Sequence, residues 1–111
     1  MKIVSFQEFC KLPDNTIFHP LDEYDNVGEL SIRGEVIYSD GEPVDYAEAV
    51  LTPRKLRDNI ESPTGWGRWA LFDYDIKYLV YLDADRQQLA GWLLNPDQAA
   101  NAMNTESQSF L

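Results

Sequence analysis

The chain has 111 residues, 19 of them Asp or Glu and 9 Lys or Arg, for a formal net charge of −10. That length suits one domain, and a composition 44% hydrophobic and 13% aromatic excludes a chain too polar to build a core. The negative field excludes direct binding to nucleic-acid phosphates or to an anionic membrane surface. No stretch approaches the roughly 20 apolar residues of a membrane span, and the N-terminal residues lack the apolar run of a secretion signal. With Cys10 as the single cysteine no intrachain disulfide can form, so a cytosolic location is expected.

Residues 5–11 read as a short helix. Ser5 can cap it, Glu8 completes the S-x-x-E box, and Val4 can staple against Phe9. Leu12-Pro13 stops the helix, and Phe6, Phe9 and Cys10 share its apolar face, so burial accounts for the cysteine more simply than catalysis does. Asp14-Asn15 is a turn signal, followed by a short strand at Thr16–His19 closed by Pro20.

Leu30 to Tyr38 alternates. Leu30, Ile32, Val36 and Tyr38 are expected on the buried face, with Ser31, Arg33 and Glu35 on the other. Gly34 interrupts the apolar face, where a bulge or a close backbone approach would explain it. Asp40-Gly41 supplies hairpin-turn chemistry, and Val44–Leu51 returns as an antiparallel strand, the alternative being a short helix over Tyr46–Leu51. Residues 53–69 hold Pro53, Pro63, Gly65 and Gly67 with four basic side chains and read as a long, partly exposed loop. Ile76–Leu82 is nearly continuous in apolar residues, as expected of a central strand buried on both faces.

Asp85, with Gln88 three residues on, reads as the N-cap of a helix running to about Asn95, with Leu89, Trp92 and Leu93 as its apolar stripe and Pro96 as its stop. Beyond it the composition turns polar, so residues 1–96 are expected to form one domain and 97–111 a flexible tail. The fold class expected is α+β: a short N-terminal helix, a mostly antiparallel sheet of about four strands, and a C-terminal helix packed on one face.

Residues 22–48 carry Asp22, Glu23, Asp25, Glu29, Glu35, Asp40, Glu42, Asp45 and Glu48 against Arg33 alone. Crowded onto one surface, these carboxylates could imitate phosphate spacing and occupy a partner's basic groove; a solvated face that merely keeps the protein in solution is the plainer account. Trp66, Trp69 and Phe72 with Arg68 include the residue types enriched at interface hot spots, although they could equally form a core lid. Trp69 and Phe72 are expected inside and Trp66 outside, while Tyr24, Tyr46 and Tyr74 are ambiguous in the same way. The expected partner-binding residues are therefore Asp22, Glu23, Tyr24, Asp25, Glu29, Glu35, Asp40, Glu42, Asp45 and Trp66.

Catalytic chemistry has little to stand on. His19 is the lone histidine, and no G-x-S-x-G elbow, P-loop or G-x-G-x-x-G is present. Asp73-Tyr74-Asp75 and Asp83-Ala84-Asp85 could each offer two carboxylates to a hard cation, but they bracket a strand spanning roughly 20 Å and cannot meet at one ion. No cofactor and no metal site are expected.

Two stretches, Phe9–Phe18 and Tyr78–Leu89, resemble small proteins encoded by bacteriophages and prophages. In that group a first helix runs into a Leu-Pro-x-Gly-Thr turn, and a late strand passes through an acidic turn into the final helix; here Asn15 stands at the glycine position and tolerates positive φ. The resemblance covers about a quarter of the chain and carries no catalytic residue. It implies a phage origin, and with it an anti-CRISPR or anti-restriction type of inhibitor acting on a host protein complex with a basic surface. A structural or regulatory accessory of the phage, or a small metal-dependent enzyme using the Asp pairs, are the alternatives.

Overall fold

In the computed structural model residues 1–52, 66–68 and 76–109 are described. They contain β1 (Lys2–Ser5), α1 (Phe6–Lys11), β2 (Thr16–Leu21), β3 (Ser31–Ser39), β4 (Glu42–Val50), β5 (Gly67–Arg68), β6 (Lys77–Val80), α2 (Asp83–Leu94) and α3 (Pro96–Ser109). The strands form a six-stranded sheet in the order β1-β6-β2-β3-β4-β5, every neighbouring pair antiparallel. The fold class is α+β, with two strands more than the sequence suggested: β1 precedes the first helix, and β5 lies within the stretch read as loop. The chain divides into two compact units, Met1–Tyr81 and Leu82–Leu111.

α1 forms where its capping chemistry sits. The Ser5 side chain accepts from the Glu8 amide at 3.2 Å, and Val4 and Phe9 are both buried in the core, as a staple across the helix start requires. Phe9 is the hub of that core. Its ring stacks on Tyr78 at 3.9 Å between centroids and meets Phe18 edge-on at 4.7 Å and Tyr46 at 5.3 Å. Phe6, Cys10, Val36 and Val80 complete the cluster. Removing one such ring would cost about 3–5 kcal/mol through lost burial and the cavity left behind.

The turn after α1 uses Asn15 at φ 72°, the left-handed conformation that Asn accepts. β2 then runs through Pro20 to Leu21 rather than stopping at it. Proline is tolerated because its missing N–H faces the β3 side, where pairing with β3 has already ended at Phe18↔Ser31.

β3 shows why the alternation inverts. Ser31 and Arg33 are buried and Ile32 only half-buried, the reverse of expectation, and Val36 is buried again after an odd step. A register shift between Arg33 and Val36 against β4 absorbs the extra residue, which is the bulge that Gly34 signalled. Gly34 also meets a close approach: a Cβ there would lie 2.9 Å from Cζ3 of Trp66. Tyr38, expected inside, is exposed beyond a second irregularity where Pro43 enters β4. The two-residue turn has positive φ at both Asp40 (52°) and Gly41 (80°), the type I′ geometry that matches strand twist, and β4 is a strand throughout residues 42–50.

β6 lies between β1 and β2, but it is not buried on both faces: Tyr78 and Val80 face the core, Leu79 is half-buried and Lys77 exposed. In the second unit α2 begins two residues earlier than Asp85. There Asp85 acts from the third helical position, its carboxylate accepting from the Leu82 amide at 2.9 Å. Leu89 and Trp92 of the expected stripe are half-buried and Leu93 is exposed. Residues 97–109, read as a polar tail, lie in α3. Asn95-Pro96-Asp97-Gln98 is a helix start in its own right, with Pro in the first turn and the Asn95 side chain and carbonyl accepting from the Gln98 amide. Pro96 therefore ends one helix and begins another.

Candidate interaction site

Between β2 and β3 the chain makes a tight loop that carries the densest run of carboxylates. Asp22 organises it. Its Oδ1 accepts from the amides of Tyr24 and Asn26, each at 2.8 Å, and its Oδ2 from the Asn26 side-chain amide at 2.9 Å. The side-chain bond from Asn26 above all, helped by the backbone donors, holds the Asp22 carboxyl below the usual carboxylate range. Asp25 turns the chain at φ 62°, its amide donating to the Asp22 carbonyl, and the Asp22 amide donates to the Asn26 carbonyl. Leu21 bridges Val27 across the base. Short polar residues that bond their own backbone make such a turn without help from a core.

What this frame presents to solvent is an aromatic ring on a short loop whose other exposed residues are largely acidic. Tyr24 is 78% exposed and Val27 56%, and Glu23, Asp25 and Glu29 are all exposed. Arg33, the only base of residues 22–48, does not temper them. It is fully buried, its Nη1 donating to Asp14 Oδ1 and the Gly34 carbonyl and its Nη2 to the carbonyls of Leu12 and Pro13.

The other predicted residues do not join this cluster. Asp40 and Glu42 lie at the β3–β4 turn, the far end of a nine-residue strand, so about 25 Å away at ~3.3 Å per residue. Glu35 is exposed on the bulge between them. Asp45 is not a surface residue: within β4, opposite Ile37, it is 4% exposed and accepts from the Tyr46 amide. The acidic segment thus splits into two ends and a midpoint. Trp66 is 57% exposed beside Gly34, in the middle of β3, and Tyr46 is fully buried with its hydroxyl 3.3 Å from that of Tyr78. Trp69, Phe72, Asp73, Tyr74 and Asp75 lie outside the described residues.

Cys10 and His19 do not meet as a catalytic pair. Cys10 is buried among the core rings, and desolvation pushes its thiol up to about 11. His19 follows core-facing Phe18 on a strand and so projects to the opposite face. Asp83 pairs with Arg86 one helical turn on, and Asp85 caps α2. Among the described residues no three His, Cys, Asp or Glu side chains gather to hold a metal, and no helix is long and apolar enough to cross a membrane.

Sequence reasoning missed three residues that bond within or at the base of the loop: Asn26, whose side chain returns to Asp22; His19, whose Nδ1 lies 2.9 Å from the Gly28 carbonyl; and Tyr81, whose hydroxyl lies 2.8 Å from His19 Nε2. The D-x-x-x-N spacing of Asp22 and Asn26 is a readable sign of the first; the other two are joined only in three dimensions. No model of a known protein family matches the chain, nor does any curated protein or solved structure.

Proposed function

We propose that this chain is a protein-binding module that docks its Asp22–Glu29 loop on a basic surface of a host nucleic-acid-handling or defence complex and obstructs that surface, as an inhibitor of phage origin would. The observation that supports this reading is the loop: an exposed Tyr24 and exposed Glu23, Asp25 and Glu29 on one short segment whose backbone amides are bonded to Asp22. A rigid loop loses little conformational freedom on binding, tyrosine is among the residues enriched at hot spots, and acidic residues steer the encounter with a basic partner. Mimicry of an extended phosphate array is a weaker form of the idea. The acidic clusters stand about 25 Å apart, a length over which duplex DNA presents roughly 15 phosphates.

The test is recovery of partners from bacterial lysate by the tagged chain, washed at low and at high salt, with mass spectrometry of what is retained. A triple variant, Glu23→Lys, Asp25→Asn and Glu29→Lys, changes the charge while leaving Asp22 to hold the loop. The expected result is a salt-sensitive nucleic-acid-binding complex recovered by the parent chain and lost from both the triple variant and Tyr24→Ala. Equal recovery by parent and variants, or none by the parent, would overturn the reading.

A further inference from the structure

The loop is closed at its base by a contact that ordinary strand pairing could not make. Two residues facing each other as a hydrogen-bonded antiparallel pair exchange N–H···O=C bonds in both directions. Between Pro20 and Gly28 one of these is present, the Gly28 amide donating to the Pro20 carbonyl at 2.8 Å. The return bond cannot form, because Pro20 has no N–H. The Gly28 carbonyl is met instead by His19 Nδ1, 2.9 Å away. A carbonyl only accepts, so Nδ1 carries the proton; in the neutral ring Nε2 is then an acceptor, and the Tyr81 hydroxyl 2.8 Å away donates to it. Gly28 itself is required at this spot, since a Cβ would lie 2.7 Å from Pro20 Cγ.

We infer that His19 is the positioning residue of the Tyr24 loop: its imidazole replaces the amide proton that Pro20 lacks, and Tyr81, from the end of β6, holds the ring in the Nδ1–H tautomer. Gly28 is thereby clamped through both its backbone groups, and with the Leu21↔Val27 bridge this sets the direction in which Asp22–Asn26 leaves the sheet. The functional weight of this clamp rests on the loop being the docking site, whereas the clamp itself is tested on the free protein.

The experiment is NMR on the isotopically labelled chain. The His19 ring nitrogens should report the Nδ1–H tautomer, which Tyr81→Phe shifts towards a mixture. In His19→Ala the amides of Asn26 and Gly28 should exchange at least about tenfold faster, with Phe18 and Val80 unchanged. His19→Asn, whose side-chain amide can take the place of Nδ1–H, should restore slow exchange. An Nε2–H tautomer in the parent, unaltered loop exchange in His19→Ala, acceleration of Phe18 and Val80 to the same extent, or no rescue by His19→Asn would each overturn the assignment. Since no partner is used, a failed lysate experiment leaves this result intact, and the converse holds too.

Discussion

Arg33→Met tests the least expected feature of the fold, a fully buried guanidinium. Methionine keeps an unbranched stem of similar length against Phe9, whose ring centroid lies 5.4 Å from the guanidinium carbon, so packing is largely preserved and the polar contacts are what is lost. The Pro13 carbonyl retains a second donor, the Thr16 hydroxyl at 2.6 Å, and Asp14, 64% exposed, rehydrates. The carbonyls of Leu12 and Gly34 are left without the charge that met them. At about 1–3 kcal/mol for each buried acceptor left unmet, and with the buried Nε that has no partner among the described residues removed as partial relief, the net loss is about 3 kcal/mol. Urea unfolding followed by tryptophan fluorescence should then show a midpoint lowered by about 1.5 M at an m-value of ~2 kcal/mol/M. Asp14→Asn, which touches the same guanidinium from the solvent side, should cost under about 1 kcal/mol. A loss below about 1 kcal/mol for Arg33→Met, or an equal loss for both variants, would refute the view that backbone carbonyls rather than the ion pair hold Arg33.

Two further outcomes follow from the same geometry. Burial that raises the Cys10 thiol to about 11 from an ordinary value near 9.0 favours the protonated form in the folded chain, so its contribution to stability is intact below pH 9 and is lost as pH rises through 11. Maleimide labelling at pH 7.5 should therefore be slow in the native protein and rapid in urea; equal rates would place the thiol at the surface. Gly41→Ala puts a side chain on a residue at φ 80° with open space around it, so it should cost about 1–2 kcal/mol in thermal melts from backbone strain alone, and no loss would contradict the turn geometry.

The parts of this protein legible in its sequence are those whose causes lie within a few residues. Ser5 and Glu8 start α1, Asn15 takes a left-handed turn, and Asp40-Gly41 closes a two-residue hairpin, each through chemistry complete at short range. Gly34 announced the bulge, but not its consequence. Once the strand gains a residue, every side chain beyond it changes face, and Arg33 is admitted to the interior only because carbonyls of a turn 20 and 21 residues away satisfy it. β1 and β5 were illegible for a related reason: strands of four and two residues are made by their partners, Lys77–Val80 and Ala47–Glu48, not by their own propensity. α3 could have been read, since Asn95 to Gln98 spell a helix start that the polar composition concealed.

The candidate site divides along the same line. Composition by itself determined that the molecule is strongly acidic and that residues 22–48 carry much of that charge. Only the tertiary structure decided which carboxylates stand together, turning Asp45 inward and sending Asp40 and Glu42 to the far end of β3. It also brought His19 against the Gly28 carbonyl at the base of the Tyr24 loop and against Tyr81, 62 residues from it in the chain. Charge is additive along a sequence and can be counted there; direction and rigidity come from hydrogen bonds whose partners are neighbours only after folding.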